Sequence, residues 1–436
     1  MARTVIKGGA VLTLDESAPF HADGAVIVDG DAITWVGPAS ELVSEPGDRV
    51  VDASRKIVMP GLVNLHYHVD MGRSTGEFSE DSRPMWELLF DDWYPFIGQL
   101  TPDEVYWASM ACYAEAIRFG NTTVNDMYVQ TEARARAAGA VGIRATLSNE
   151  IATPETGIDT VEDNIAAFKA VHGTQNGLVK VAFGIEWLPC ASDSILSEVR
   201  AAATELGAGI HIHLNEAMDE VEDSLKRFGK RPTELAYELG FLGPDVVAAH
   251  CVHLDDREIQ MMAETGTQIS HNPASNSFLG NGIARMNDFR DAGINVGMGT
   301  DASFMQDMFE AMRWSTYLHR AKAADISARS SLEALTMATV NGSKALGQDT
   351  GVLAAGKLAD LVLLDADQMK FAMMDRTDAG SVTEFVTNHA NGNDVASTMV
   401  AGEFVMLNGE FTRVDAEEIK ANLGTSMGAA FSRAFG

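Results

Sequence analysis

The chain has 436 residues, 46% of them hydrophobic, which is enough for a large core and too long for one small domain. Its formal charge of −30, from 62 acidic and 32 basic residues, repels phosphate backbones, so no nucleic-acid partner is expected. Cys112, Cys190 and Cys251 form no CxxC pair, and the sequence carries neither a signal-peptide core nor a run of ~18 apolar residues. A soluble, cytoplasmic globular protein is expected, with no disulfide framework and no membrane span.

In chain order, the first stretch reads as short strands with tight turns. TVIKGGAVLTL, GAVIVDGDAITWVG and KIVMPG alternate apolar and polar residues and are broken by Gly and Asp-Gly. From residue 59 onward, strand-like runs alternate with helical ones. The strand candidates are TTVNDMY, IRATLSNEI, LVKVAFGIEW, GIHIHLNE, VVAAHCVHL, TQISHNP and INVGMGTD; TPDEVYWASMACYAEAIRFG and DDREIQMMAETG typify the helices. Repeated βα units predict a parallel sheet with its helices outside. The length of 59–354 suits a (β/α)8 TIM barrel, whose usual size is ~250 residues. An open doubly wound sheet has no GxGxxG loop to support it. The last stretch, GVLAAGKLADLVLLD and VASTMVAGEFVMLNGEF, returns to the texture of the first. Neither end has enough strands to bury its own face, so 1–58 and 355–436 are expected to pair into one small β-sandwich domain.

The polar residues with chemistry sit where apolar strands run out. His66 and His68, in PGLVNLHYHVD, share one face of a strand. HIHLNE puts His211 and His213 on one face, with Glu216 three residues after His213. AAHCVHL offers His250 and His253, and GMGTDAS ends a strand in Asp301. In a parallel barrel that rim is where active sites are built. A buried Asp or His pair is costly alone, whereas a metal uses both, and three imidazoles with one carboxylate make a normal zinc set with room for water.

These segments carry a resemblance. PGLVNLHYH, AEAIRFGNTTVNDMY, HIHLNE, AAHCVHL, SHNPASNSFLGNGIARM and GINVGMGTD resemble the amidohydrolase superfamily over nearly the whole chain. They are most similar to the methylthioadenosine/S-adenosylhomocysteine deaminases and to the s-triazine hydrolases of the atrazine-chlorohydrolase and melamine-deaminase type. The resemblance implies a metal-dependent hydrolase acting on cyclic amidines. His66, His68, His213 and Asp301 would hold one zinc per chain, and iron or manganese suits similar ligands. Glu216 would shuttle protons to a ring nitrogen, His250 would orient the water, and Asp301 would accept the water's proton. A homodimer or homotetramer is the family's habit. Two-metal relatives bridge their ions with a lysine on strand four; here Lys180 lies early in that strand and Glu186 near its end, which favours one metal.

The substrate is expected to be a small heterocycle. Nucleoside deaminases of the family carry a His after strand four, where this chain has Glu186 or Trp187, and a ribose-binding Glu where it has Ile97. Each buried ribose hydroxyl left unpaired would cost about 1–3 kcal/mol. The expectation is therefore a compact nitrogen-rich ring: an aminated triazine, pterin, purine base or cyclic guanidine. The alternatives are a methylthioadenosine, S-adenosylhomocysteine or adenosine deaminase, or an s-triazine chlorohydrolase. Trp86, Trp93, Trp187 and Phe304 are candidates for stacking on the ring. Glu186 and Asn276 are candidates for polar contact, with Asn272 and Ser275 shaping the pocket. His253 and His271 are read as structural.

Overall fold

The structure, a computed structural model, describes residues 3–69, 85–302 and 306–435. It divides into two compact units. The first comprises Met1–Asn64, Glu115–Thr123 and Asp307–Arg413; the second comprises Leu65–Ala114, Val124–Gln306 and Val414–Gly436.

The first unit contains a nine-stranded mixed sheet built from both ends of the chain. The join is an antiparallel pairing of Lys56–Pro60 with Leu361–Asp365, running from Pro60 opposite Leu361 to Lys56 opposite Asp365. Thr4–Leu12 pairs antiparallel with Phe20–Asp29, so the amino-terminal hairpin continues the same sheet. Ile6, Val26, Val28, Val58, Leu361, Leu363 and Met399 form one buried cluster, so neither end buries its apolar face alone. Gly402 (φ +78) is required at one crossing of the two ends: a Cβ there would meet the Gly30 carbonyl oxygen at 1.9 Å.

The strands between these ends are β1 (Leu62–Tyr67), β2 (Asn121–Met127), β3 (Arg144–Ser148), β4 (Val179–Val181 and Phe183–Trp187), β5 (Ile210–Leu214), β6 (Val246–His250), β7 (Gln268–His271) and β8 (Val296–Met298). Sheet order follows chain order, β1-β2-β3-β4 and then β4-β5-β6-β7-β8, the change of partner falling at Ala182 inside β4. The pairings from β3 to β8 are parallel. A parallel bridge between Tyr67 and Asp301 brings the end of β8 back to the end of β1, which is the ring order of a parallel α/β barrel.

A helix follows each strand, from α1 (Pro102–Arg118), α2 (Thr131–Val141), α3 (Val161–Val171) and α4 (Asp193–Leu206) to α5 (Met218–Phe228), α6 (Asp256–Thr265), α7 (Met286–Asp291) and α8 (Met308–Ala323). Their ends are written in the sequence. Ser192 caps α4 and Asp255 caps α6 through side-chain oxygens, and Gly207, Gly229 and Gly266 end α4, α5 and α6 in the left-handed conformation. Helix α5 has Asp219 and Glu220 in its first turn and Lys226 and Arg227 in its last, matching its dipole.

In β5 every residue is buried, so its alternation is not apolar-in and polar-out. Ile210, Ile212 and Leu214 share one face and His211 and His213 the other. The described residues contain no helix long and apolar enough to cross a membrane.

Candidate metal centre

The strand ends bring four histidines and one aspartate of the second unit together. His66, His213, His250 and Asp301 each offer a ligand atom, and those atoms lie within 4.8 Å of one another. His68 joins them: its Nε2 is 3.2 Å from His213 Nε2 and 3.3 Å from Asp301 Oδ1. His66 Nε2 is 3.2 Å and His250 Nε2 3.9 Å from the Asp301 carboxylate. All five residues are at least nine-tenths buried. His250, expected to orient water, therefore stands inside the same group as the expected ligands.

The other nitrogen of each ring is fixed from behind. His68 Nδ1 donates to the Met127 carbonyl at 2.6 Å, and His213 Nδ1 donates to the Glu186 carbonyl. A carbonyl can only accept, so both rings carry their hydrogen on Nδ1 and turn an Nε2 lone pair toward the centre. His250 Nδ1 meets Asn276 Oδ1 at 2.8 Å, so this ring too is held from behind. His66 Nδ1 lies 2.8 Å from His211 Nε2, so His211, on the expected face, backs His66. Hydrogen bonds from behind are how proteins aim metal-binding imidazoles.

Two lone pairs 3.2 Å apart repel in a dry interior unless a cation lies between them. Two ligand atoms each ~2.05 Å from a tetrahedral ion are ~3.3 Å apart. Among the buried ring nitrogens without a hydrogen bond are His66 Nε2 and His250 Nε2. The donor set and its unpaired atoms thus fit a divalent metal.

Backbone strain marks the same places. His250 (φ 71) and Asp301 (φ 69) adopt left-handed backbone at the ends of β6 and β8. Gly299 leaves room for Asn272 and His66: a Cβ there would lie 2.5 Å from Asn272 Oδ1 and 2.8 Å from the His66 Cβ.

Electrostatics follow burial and neighbours. Burial pushes His66 down to about 3 and His213 well below the usual imidazole range. Burial also opposes charge on His68 and Asp301. It is outweighed by their mutual attraction, which with Glu150 and Glu186 favours positive charge at His68 Nε2 and raises it to about 10, while His66 and His68 hold Asp301 well below the carboxylate range; that positive charge is supplied by a proton on Nε2 or, where Nε2 keeps its lone pair, by a bound cation. Burial pushes the Glu216 carboxyl up. Glu216 Oε2 stands 3.8 Å from His250 Nε2, and its Oε1 accepts from Asn281 Nδ2 at 2.8 Å. Ser275 donates to Asp301 Oδ2.

The remaining candidates separate. Asn276 Oδ1 is engaged with His250, and its Nδ2 makes no hydrogen bond. Asn272 Nδ2 lies 3.3 Å from His250 Nδ1. Glu186 lies at the end of β4, its Oε1 accepting from Tyr94 Oη at 2.8 Å. Trp187 is buried, with Glu220 on α5 nearby. Trp93 is half-buried. Trp86 lies in the helix Met85–Leu88, its side chain outside the described residues, as is Phe304. His253 Nε2 donates to the Asn281 carbonyl at 2.8 Å, which steadies the residue holding Glu216. His271 is buried at the end of β7. Lys180 is exposed, so it does not reach the centre. Sequence reading missed Asn281, Tyr94 and Glu150; they lie on connections where no periodicity marks them.

The amidohydrolase family model matches residues 57–405. The chain belongs to the amidohydrolase family. Within that family it is 36% identical over 412 residues to the 5'-deoxyadenosine deaminase of Methanosarcina mazei, covering 93% of each chain. It is 36% identical over 429 residues to the 5-methylthioadenosine/S-adenosylhomocysteine deaminase of Acetivibrio thermocellus, covering 96% of this chain and 97% of that one. An adenosine deaminase from Xanthomonas campestris, solved with bound zinc, superposes with a TM-score of 0.91 at 26% identity, covering 99% of both chains. These amidohydrolases are similar to this chain along its length, so the expected kinship holds for the barrel and the terminal segments alike.

Proposed function

We propose that this amidohydrolase is a deaminase that replaces an amino, or related, leaving group on a nitrogen heterocycle by hydroxyl. The observation that carries the reading is the convergence of unpaired imidazole nitrogens on Asp301, with the Glu216 carboxyl beside them. His66, His68, His213 and Asp301 would hold one zinc, with His250 next to it. A bound ion would supply Lewis acidity, bringing a water to the point of losing its proton near neutral pH.

The chain's own groups supply the proton handling. Asp301, held anionic, accepts a proton from the attacking water. Glu216, favoured as the neutral acid by burial, gives its proton to the ring nitrogen beside the reacting carbon; the proton taken by Asp301 then goes to the departing amine, and Glu216 regains one from the added hydroxyl as the carbonyl forms. His250 orients the water and polarises the reacting carbon. Trp86, Trp187 and Phe304 are assigned to the aromatic wall of the pocket, and Glu186 and Asn276 to its polar side.

Ile97 is buried and offers no acceptor, which favours a compact base over a nucleoside. The nucleoside reading rests on the similarity to deoxyadenosine and methylthioadenosine deaminases. Ammonia release from aminated triazines, pterins, purine bases and cyclic guanidines, beside adenosine and S-adenosylhomocysteine, tests the proposal. Release from none of them would end it.

A cytoplasmic homodimer or homotetramer belongs to the same proposal. So does a division into a terminal β-sandwich (1–58 with 355–436) and a catalytic barrel (59–354).

A further inference from the structure

A glutamate side chain is flexible, and Glu216 can pass a proton only while its carboxyl faces the reacting ring. Its main chain is held first. Asn215, in left-handed backbone (φ 51), turns the chain out of β5, and its carbonyl accepts from His253 N at 3.0 Å. Glu216 N donates to Glu220 Oε2 at 2.8 Å. The carboxyl is then held by the 2.8 Å hydrogen bond from Asn281 Nδ2 to Oε1.

Asn281 lies between helices, yet its main chain is pinned on both sides. Its N–H donates to the Asn276 carbonyl at 2.9 Å, and its carbonyl accepts from His253 Nε2 at 2.8 Å. Asn276 is the residue that backs the His250 ring, so the same frame reaches His250 and Glu216. His253 is fixed in turn: Arg231 Nη2 donates to its carbonyl, and Arg231 Nε donates to Glu258 on α6 at 2.8 Å. His253 thus touches both halves of the frame around Glu216, its main-chain N–H on Asn215 and its ring N–H on Asn281.

An amide N–H also chooses between the two carboxyl oxygens. It can face only an acceptor, so in the protonated acid the hydrogen sits on Oε2 and Oε1 is the carbonyl oxygen. The same N–H suits the carboxylate left once the proton has been given, whereas an oxygen in its place would repel that anion. Oε2 is the oxygen that stands 3.8 Å from His250 Nε2.

We propose that Asn281 is a positioning residue for proton transfer, holding Oε1 so that Oε2 is the oxygen that gives and regains the proton, and that His253 sets Asn281. The inference rests on the deaminase reading for the proton's destination and on these hydrogen bonds for its geometry.

Asn281→Ala keeps both main-chain bonds and removes the amide. Its kcat is expected to fall about 10- to 100-fold, with KM within about threefold and zinc content unchanged. In a Glu216→Gln background, which has no acid proton to cycle, the same substitution is expected to change kcat by less than about threefold, because residues that act as a unit are not additive. Equal losses in both backgrounds, or loss of zinc, would make Asn281 a general support of the fold and overturn the proposal. His253→Gln, which keeps an N–H donor, is expected to hold kcat within about threefold, and His253→Leu to match Asn281→Ala; equal effects of the two would remove His253 from the frame. Crystals of zinc-loaded Asn281→Ala decide the geometry without any substrate. The Glu216 carboxyl is expected to have left its place beside His250, and an unmoved carboxyl overturns the proposal. Ammonia release from no amine would remove the deaminase reading alone, while the crystals decide the placement of Glu216.

Discussion

Replacing Arg134 by Met tests how the scaffold holds His68. The Arg134 guanidinium is fully buried on α2 and donates to the carbonyls of Val129 (3.1 Å), Asp126 (3.0 Å), Ser148 (2.8 Å) and Tyr128. It also pairs with Asp126 Oδ2 at 3.1 Å. Asp126 Oδ1 in turn accepts from Val69 N at 3.2 Å, and the next carbonyl along, Met127 O, is the one that orients His68. The pair therefore ties β2 to both sides of His68. Arg134→Met leaves the Asp126 carboxylate buried with, among the described residues, Tyr113 and Val69 as donors. Stranding one partner of a buried ion pair costs about 3–5 kcal/mol. Asp126→Asn should cost a similar amount, yet the double variant should cost far less than the sum, because neither charge is then left alone. A coupling of about 2–3 kcal/mol is expected. Urea unfolding of the zinc-loaded proteins, with slopes compared, measures it. Zinc affinity should fall in both single variants. A loss below ~1 kcal/mol for Arg134→Met, or strictly additive losses, would refute the reasoning.

Four further outcomes are expected. Glu216→Gln keeps the shape and the Asn281 contact but cannot cycle a proton, so kcat should fall by about 10²–10⁴ with zinc content unchanged; an undiminished kcat would remove Glu216 from the chemistry. Gly299→Ala drives a methyl into Asn272 and His66, so stability should drop by about 1–3 kcal/mol and zinc affinity with it, both read from titrations of the purified variant. Glu220, buried on α5 behind Glu216, is pushed up to about 8 by burial from an ordinary 4.5. A raised pKa means stability that is fully present below 4.5 and lost as pH rises through about 8, at a slope on the order of 1.4 kcal/mol per pH unit. Against Glu220→Gln, the unaltered protein should therefore lose relative stability across that window and level off above it; a flat difference would contradict the assignment. Ser275→Ala removes the hydroxyl that steadies Asp301 and should lower kcat/KM about tenfold, measured on whichever amine of the panel is turned over.

Much of this site is written locally. His66 and His68, like His211 and His213, obey the two-residue period of a strand, and the apolar residues between them dictate which way the imidazoles face. Asp301 and His250 are legible because apolar strands end on them. Glu150, Asn281 and Tyr94 are not legible, because loops and short helices bring them in and no period marks their direction. Arg134 is the plainest case. In TEARARAAGAV it reads as one more charge on a solvated helix face, yet it is fully buried against Asp126, eight residues back. The terminal strands were visible as strands, but the register of Lys56–Pro60 on Leu361–Asp365 joins residues some three hundred positions apart, and alternation alone does not specify such a partner.

The central claim is that lone pairs of imidazoles aimed at one point are held together by a cation. The most direct measurement is the divalent metal content of the purified protein, taken beside ammonia release before chelation, after it and after return of the metal. One equivalent per chain, turnover lost on chelation and restored by zinc, and loss of the metal in His68→Ala and His213→Ala are the predicted results. Full turnover by protein freed of metal would contradict the account.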